Sequence, residues 1–149
     1  MSVSARDIAL WFLNHNLSLR DIGNEDTDDI SNLKLQKLLY YAQGSYLGLY
    51  DKPLFDDAIF AWKHGPVVEG VYHEFKQNGS RGIVEFDNAP ILDDETENVL
   101  KQVYDVFGKY SAWGLREMTH NETPWKSTKL NNVIDIELIK EYFKENYVA

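Results

Sequence analysis

Residues 31–46 read SNLKLQKLLYYAQGSY, and this stretch predicts the central helix of the fold. Ser31 suits the N-cap position, because its hydroxyl can accept a hydrogen bond from a backbone N–H of the first helical turn. Apolar residues then recur at the spacing of one helix face. They are Leu35, Leu38, Leu39, Ala42 and Tyr46. Lys34, Lys37 and Tyr41 lie off that face, which leaves them as candidates for contacts outside the core.

Capping and periodicity signals predict further helices on both sides of this segment. Ser4 and Asp7 resemble a capping box, in which the first helical turn and its N-cap satisfy each other's hydrogen bonds. The other predicted helices cover residues 4–14, 66–78, 94–109, 111–118 and 136–146. Two short apolar runs, 58–62 and 83–86, predict strands that pair with each other. We therefore predict a mainly α (α+β) fold: a compact single-domain helical bundle of about six helices over residues 1–149, with a small two-stranded β element.

The charge balance and the absence of cysteine narrow the function classes. The chain has 15 Lys and Arg against 24 Asp and Glu, a formal net charge of −9. Such an acidic field repels phosphate backbones, so it argues against nucleic-acid and anionic-membrane partners and favours basic proteins. A chain without cysteine has no disulfide and no thiolate nucleophile. No apolar run approaches a membrane span and residues 1–7 do not resemble a signal peptide, so we expect a soluble cytoplasmic protein.

Patterns of known catalytic chemistry are also missing from the sequence. No glycine-rich loop joins a strand to a helix, and no Gly-x-Ser-x-Gly elbow occurs. His64, His73 and His120 could ligate zinc with Glu69 or Glu122, which would make the chain a metalloenzyme or hydrolase. Their spacing matches no zinc motif, so structural hydrogen bonding is the favoured role. We predict no catalytic residue, no cofactor and no metal.

An acidic segment, residues 20–29, predicts a mobile surface loop between the first two helices. Calcium binding is the alternative, because Asp26 and Asp28 stand at alternate positions like the ligands of an EF-hand loop. The glycine and the final glutamate of that loop are missing, which favours an ordinary solvated segment.

Basic and aromatic residues lie close together in sequence at two places. They are Lys34, Lys37, Tyr40 and Tyr41 in the central helix, and Trp62 and Lys63 after it. One interpretation is a groove in which single-stranded nucleic acid stacks on aromatic rings. The favoured one is that the lysine stems cover a packed aromatic layer and keep their ammonium groups in water.

Several ordered blocks of the sequence resemble one known family. The blocks are KLQKLLYYAQG (34–44), PLFD (53–56), AW (61–62), HGPVV (64–68), VY (71–72) and, after Leu115, TH-x-x-x-PW (119–125). Together they resemble the signature of the Panacea antitoxin domain family, which includes SocA-like antitoxins and phage-associated GepA-like proteins. The resemblance extends from the first helix to about Trp125.

The resemblance implies a non-enzymatic antitoxin that binds and neutralises a cognate protein toxin, usually encoded beside it. Members of the family are paired with different toxins, including alarmone-synthetase-like enzymes. Some SocA-like proteins resemble proteolytic adaptors that deliver the toxin to a AAA+ protease, so sequestration and delivery both stay open. A phage-associated interaction protein without a toxin partner is a further alternative, and exposed aromatic residues would equally suit a homo-oligomer.

Eight signature residues are candidates for partner binding, because their types are common at interfaces and periodicity does not place them in the core. They are Lys34, Lys37, Tyr41, Trp62, His64, Tyr72, His120 and Trp125. Gly65 and Pro66, in contrast, are expected to shape the backbone. We expect the interface near residues 62–64 and 119–125.

Overall fold

The computed structural model describes residues 3–22 and 27–148. Within these ranges the chain forms seven α-helices and two strands. They are α1 (Ala5–Asp21), α2 (Asn32–Tyr50), β1 (Phe60–Trp62), β2 (Gly65–Val67), α3 (Glu69–Phe75), α4 (Asp94–Phe107), α5 (Ala112–His120), α6 (Thr123–Lys126) and α7 (Ile136–Asn146). The prediction of a mainly helical fold with a small two-stranded sheet is confirmed.

Helix α2 is the centre of the core, and α1, α4, α5 and α7 all pack against it. Ser31 caps it as predicted, accepting a hydrogen bond from the Lys34 backbone N–H. The prediction that Lys37 and Tyr41 lie off the buried face was wrong, because both side chains are fully buried. Helices pack on α2 from several directions, so burial extends well beyond the single apolar stripe. Gly44 permits the approach of α7, since a Cβ atom there would overlap the Phe143 ring.

Buried amide side chains of α2 hold the segments that form the neighbouring surface. Gln36 Oε1 accepts a hydrogen bond from the Val68 N–H at 2.9 Å, and Asn32 Nδ2 donates to the Tyr72 carbonyl at 3.0 Å. Gln36 Nε2 also donates to Asn32 Oδ1. These bonds fix the start and the middle of α3 against the first turns of α2, because each satisfies a polar group that would be costly to bury alone.

The two strands pair differently from the prediction. β1 pairs in antiparallel register with β2, so that Phe60 faces Val67 and Trp62 faces Gly65. Residues 83–86 were expected to be the partner strand, but the other edge of β1 is taken by residues 131–134, through backbone bonds such as Asn131 N–H to the Ala61 carbonyl. The Ile83 N–H instead donates to the carbonyl of Ile30.

Gly65 and Pro66 were expected to open a helix, and this was also wrong, since they belong to β2 and α3 begins at Glu69. The tight turn after Trp62 requires a residue with positive φ, and Gly65 has φ +116°. The fixed φ of Pro66 is compatible with a strand as well as with a first helical turn.

Helix α1 is longer than the predicted 4–14, and the polar residues that follow residue 14 continue it to Asp21. Asn16 is buried there, donates to the Asp28 carbonyl and accepts from the Tyr104 hydroxyl at 2.6 Å. Tertiary contacts therefore stabilise a segment whose composition is typical of a loop. Of the predicted loop and calcium segment, residues 23–26 lie outside the described residues, while Arg20 forms a salt bridge with Asp29 at 2.7 Å.

Candidate interaction surface

A groove of about 360 Å³ opens between the β1–β2 hairpin, α3 and the first turns of α2. Four of the eight candidate residues line it: Lys37, Trp62, His64 and Tyr72. We call it the Trp62 groove. The rings of Trp62 and Tyr72 are both partly buried and meet edge to face, with centroids 5.1 Å apart. Such a pair offers large apolar contact area that is already ordered before a partner binds.

The hairpin turn beside this groove is held by α5 and α6. Trp125 Nε1 donates to the Trp62 carbonyl at 2.8 Å, and His120 Nε2 lies 2.9 Å from the Lys63 carbonyl oxygen. His120 Nδ1 lies 2.7 Å from the Arg116 carbonyl oxygen. Both ring nitrogens of His120 thus face acceptors, and both can donate only when the imidazole is protonated.

The structure thereby brings together residues 62–64 and 119–125, the two segments that the sequence analysis singled out. Within this arrangement His120 and Trp125 hold the turn in place: their rings lie against each other, with centroids 3.9 Å apart, and both contact hairpin carbonyls. These contacts hold the backbone of Trp62 and Lys63 in the turn.

The sequence blocks that form this surface coincide with a family match. A family model described as "Antitoxin SocA-like, Panacea domain" matches residues 35–126. The chain belongs to this family. It is also similar to Antitoxin SocA of Caulobacter vibrioides (strain NA1000 / CB15N), with 34% identity over 137 residues that cover 83% of this chain and 69% of that protein. No solved structure matches the chain.

The resemblance to the Panacea antitoxin domain is therefore confirmed. The matched stretch begins within α2 and ends at the last residue of α6. It includes the hairpin, α3 and the α5–α6 segment, so the whole Trp62 groove except the start of α2 lies inside the family's domain.

Two further residues of this Panacea domain are connected to the groove through His64, and neither was among the residues predicted from the sequence. Arg116 Nε donates to His64 Nδ1 at 3.1 Å, and the Arg116 guanidinium lies 4.4 Å from the centroid of the Trp113 ring. Desolvation and then the Arg116 charge lower the pKa of His64, consistent with its accepting role. Trp113 is 59% exposed. Trp113 lies two residues after the Ser111 N-cap and off the helix face that carries the buried Leu115. This position in the sequence could have indicated that the Trp113 ring is exposed.

Lys37 lies beneath the Trp62 groove and has no exposed surface. Its ammonium donates to the Pro66 carbonyl at 3.2 Å, the one hydrogen-bond acceptor that the described residues provide. Burial, and secondarily the charge of Arg116, lower the pKa of Lys37 to about 7. A lysine whose ammonium is this poorly solvated is common at binding and catalytic sites but also occurs in structural cores.

The structure places Lys34 and Tyr41 away from the groove. Lys34 Nζ donates to the Gly108 carbonyl at 2.6 Å and so ties α2 to the end of α4, and burial lowers its pKa. Tyr41 is inside the core, stacked on Phe107 with ring centroids 3.9 Å apart.

A second polar cluster lies in the core, around the Glu122 carboxylate. Glu122 is 4% exposed and accepts hydrogen bonds from three tyrosine hydroxyls, those of Tyr40, Tyr41 and Tyr147. Desolvation raises the pKa of Glu122, while the three hydroxyls oppose that shift. We call these four residues the Glu122 cluster. From the sequence, Glu122 was expected only as a possible zinc ligand.

Two further observations concern metal sites and membrane spans in the described residues, 3–22 and 27–148. No group of three or more His, Asp or Glu side chains there is arranged to hold a metal ion. No helix there is long and apolar enough to cross a membrane.

Proposed function

We propose that this protein is an antitoxin that neutralises a cognate protein toxin by binding it directly in the cytoplasm, without catalysis. The family supplies the antitoxin role. The observation that carries direct binding is the exposed Trp113, which Arg116 and His64 connect to the Trp62 groove. Trp, Tyr and Arg are the residues that most often dominate the energy of protein interfaces.

The proposed binding surface combines a hairpin whose backbone is held by hydrogen bonds with aromatic rings that are at least partly exposed. Trp125 and His120 contact the backbone of the hairpin, while the side chains of Trp62, Tyr72 and Trp113 are each at least partly exposed. Rings held in this way lose little conformational freedom when a partner covers them, which favours tight association. The partner is a protein toxin encoded by a neighbouring gene, as the family resemblance implies.

The test is co-expression of the chain with the product of its neighbouring gene, scoring growth rescue and co-purification together. Trp62→Ala and Trp113→Ala should each weaken the complex by about 30-fold and reduce rescue, because each removes a central aromatic anchor. Ile91→Ala is the matched control, since Ile91 is fully exposed and does not line the groove. Circular dichroism and thermal unfolding establish that each variant is folded.

Four other outcomes of this experiment would contradict the proposal, each in a different way. Binding and rescue by both tryptophan variants at the wild-type level would show that the toxin uses another surface. Rescue without a stable complex, with toxin levels that fall only when a host AAA+ protease is present, would replace sequestration by the adaptor mechanism. Absence of toxicity from the neighbouring product would remove the antitoxin proposal. A dimer in size-exclusion chromatography that Trp113→Ala dissociates would assign the exposed face to self-association.

A further inference from the structure

The Trp62 groove is basic although the chain as a whole is acidic. Lys63 and Lys76 are exposed side chains that line it, and Lys37 lies beneath it. No Asp or Glu is among the described residues that line it. In a chain with a formal net charge of −9, the groove is a local reversal of sign.

The two exposed lysines are available for an external partner. Within residues 3–22 and 27–148, neither Lys63 nor Lys76 forms a salt bridge, whereas the neighbouring Arg116 is paired with Glu117 at 2.9 Å. An ammonium without an internal counter-ion can pair with a partner's carboxylate without first breaking a bond inside the protein.

Lys37 adds to the attraction from below. Its ammonium carries three donors but has one acceptor, the Pro66 carbonyl, among the described residues. A negative charge in the groove would favour the protonated form of Lys37, and by reciprocity the protonated lysine would attract that charge. The low dielectric of the surrounding protein makes this interaction stronger than it would be in water.

The walls of the groove add an apolar requirement. Trp62, Tyr72, Leu33 and Val67 line it, and its volume of about 360 Å³ is at the small end of the range for ligand pockets. A partner that fills it must therefore combine an apolar side chain with negative charge.

We propose that the Trp62 groove binds an acidic segment of the toxin, with an apolar side chain against Trp62 and Tyr72 and flanking carboxylates at Lys63 and Lys76. This inference rests on the proposed antitoxin function. Outside the groove the acidic surface favours a toxin whose remaining surface is basic, so the reversed sign at the groove fixes the orientation in which the two proteins associate.

The experiment compares two double charge reversals that change the net charge equally. Lys63→Glu with Lys76→Glu alters the groove. Lys52→Glu with Lys129→Glu is the matched control, because both of these lysines are exposed and neither lines the groove. Affinity for the purified toxin is measured by calorimetry at low and high salt, together with growth rescue.

We expect the groove reversal to weaken toxin binding by about 100-fold at low salt and the control by less than about threefold. Wild-type affinity should fall as salt is added, and the part of this dependence that comes from the groove lysines should be absent from the groove reversal. Replacing the acidic residues of the toxin segment by lysine should restore binding to the groove reversal. If the reversal does not fold, Lys63→Gln with Lys76→Gln tests the same point with a smaller expected loss, about tenfold.

The outcomes separate this inference from the function on which it rests. Equal toxin binding by the wild type and the groove reversal would overturn the acidic-segment proposal and leave the antitoxin function intact. Absence of toxin binding by the wild type would overturn both. A fluorescent single-stranded oligonucleotide that binds the wild type, and not the groove reversal, would assign the basic groove to nucleic acid instead.

Discussion

The Glu122 cluster and the Trp62 groove are built from the same kinds of residue, but they differ in how many partners their buried charge has. Each surrounds one buried charged side chain with aromatic rings, Glu122 in the first and Lys37 in the second. Glu122 accepts three hydroxyl hydrogen bonds, whereas Lys37 has one acceptor among the described residues. Removing a buried charge that has a full set of partners leaves those partners unsatisfied, while a buried charge with few partners costs stability and attracts a ligand of opposite charge. We therefore assign the Glu122 cluster to the stability of the fold and propose the Trp62 groove for partner binding.

The largest expected effect comes from removing the charge at the centre of the Glu122 cluster. Glu122→Ala leaves the hydroxyls of Tyr40, Tyr41 and Tyr147 without their acceptor and opens a cavity among them. We expect the free energy of unfolding to fall by about 3–5 kcal/mol, measured by urea denaturation. Glu117→Ala is the control, since its exposed side chain should contribute within about 0.5 kcal/mol. A loss below about 1 kcal/mol for Glu122→Ala would show that the cluster does not stabilise the core.

The second expected effect is a gain in stability, and it comes from removing the charge beneath the Trp62 groove. Lys37→Met removes a desolvated ammonium and keeps a side chain of similar length, so we expect the free energy of unfolding at pH 6 to rise by about 3 kcal/mol. Glu122→Ala should therefore destabilise the protein, whereas Lys37→Met should stabilise it.

The pH dependence of this gain follows from the lowered pKa of Lys37. That pKa is about 7 in the folded chain against an ordinary 10.5, so between these values the unfolded state binds a proton that the folded state lacks. Folding of the wild type therefore becomes more favourable as pH rises from about 7 towards 10.5. The advantage of Lys37→Met should be full below pH 7 and shrink over this window. A difference that stays constant with pH would contradict the buried-ammonium explanation.

Local signals in the sequence predicted the parts of the fold that depend on neighbours along the chain. The Ser31 cap and the Ser4–Asp7 capping box are both confirmed. Each is set by a side chain and a backbone N–H a few residues apart, so no tertiary information is needed.

Features that depend on distant segments were mispredicted or missed. Periodicity gives one apolar face of α2, but the burial of Lys37 depends on β2, and that of Tyr41 depends on α4 and α7. The strand partner of β1 was decided by residues 131–134 occupying its second edge. For the candidate site, sequence blocks singled out residues 62–64 and 119–125. The link through Arg116 to Trp113 exists only once α5 is placed beside the hairpin.

A third variant, with an intermediate expected effect, tests whether the Trp62 groove can be altered while the Glu122 cluster stays intact. Gly65→Ala places a Cβ atom 2.6 Å from Lys37 Cε, at a residue with φ +116°. We expect a loss of about 2 kcal/mol in the free energy of unfolding, together with weaker toxin binding, because the turn and the lysine must both shift. Gly70→Ala is the matched control: nothing lies within 4 Å of its added Cβ, and as a helical residue it should be neutral or slightly stabilising. Equal stability of the two variants would show that the turn tolerates a side chain.

The smallest effect examines one hydrogen bond of the Glu122 cluster. Tyr147→Phe removes one of the three hydroxyls bound to Glu122 and leaves those of Tyr40 and Tyr41, so we expect a loss of about 1.5 kcal/mol at pH 7. Tyr142→Phe, in the α7 helix that Tyr147 follows, is the control, since within the described residues the Tyr142 hydroxyl forms no hydrogen bond.

The pH dependence of the Tyr147→Phe loss reports whether Glu122 is ionised inside the cluster. Burial raises the pKa of Glu122 above its ordinary 4.5, and a donated hydroxyl favours the charged carboxylate. The stabilisation by Tyr147 should therefore be full where Glu122 is ionised and decline as pH falls through that raised pKa. A small loss that is the same at pH 4 and pH 8 would mean that the carboxyl group stays protonated, because a hydrogen bond to a charged group contributes more than one to a neutral group. The Glu122 cluster would then be a network of neutral hydrogen bonds, and Lys37 would be the only buried charge in the comparison between the two regions.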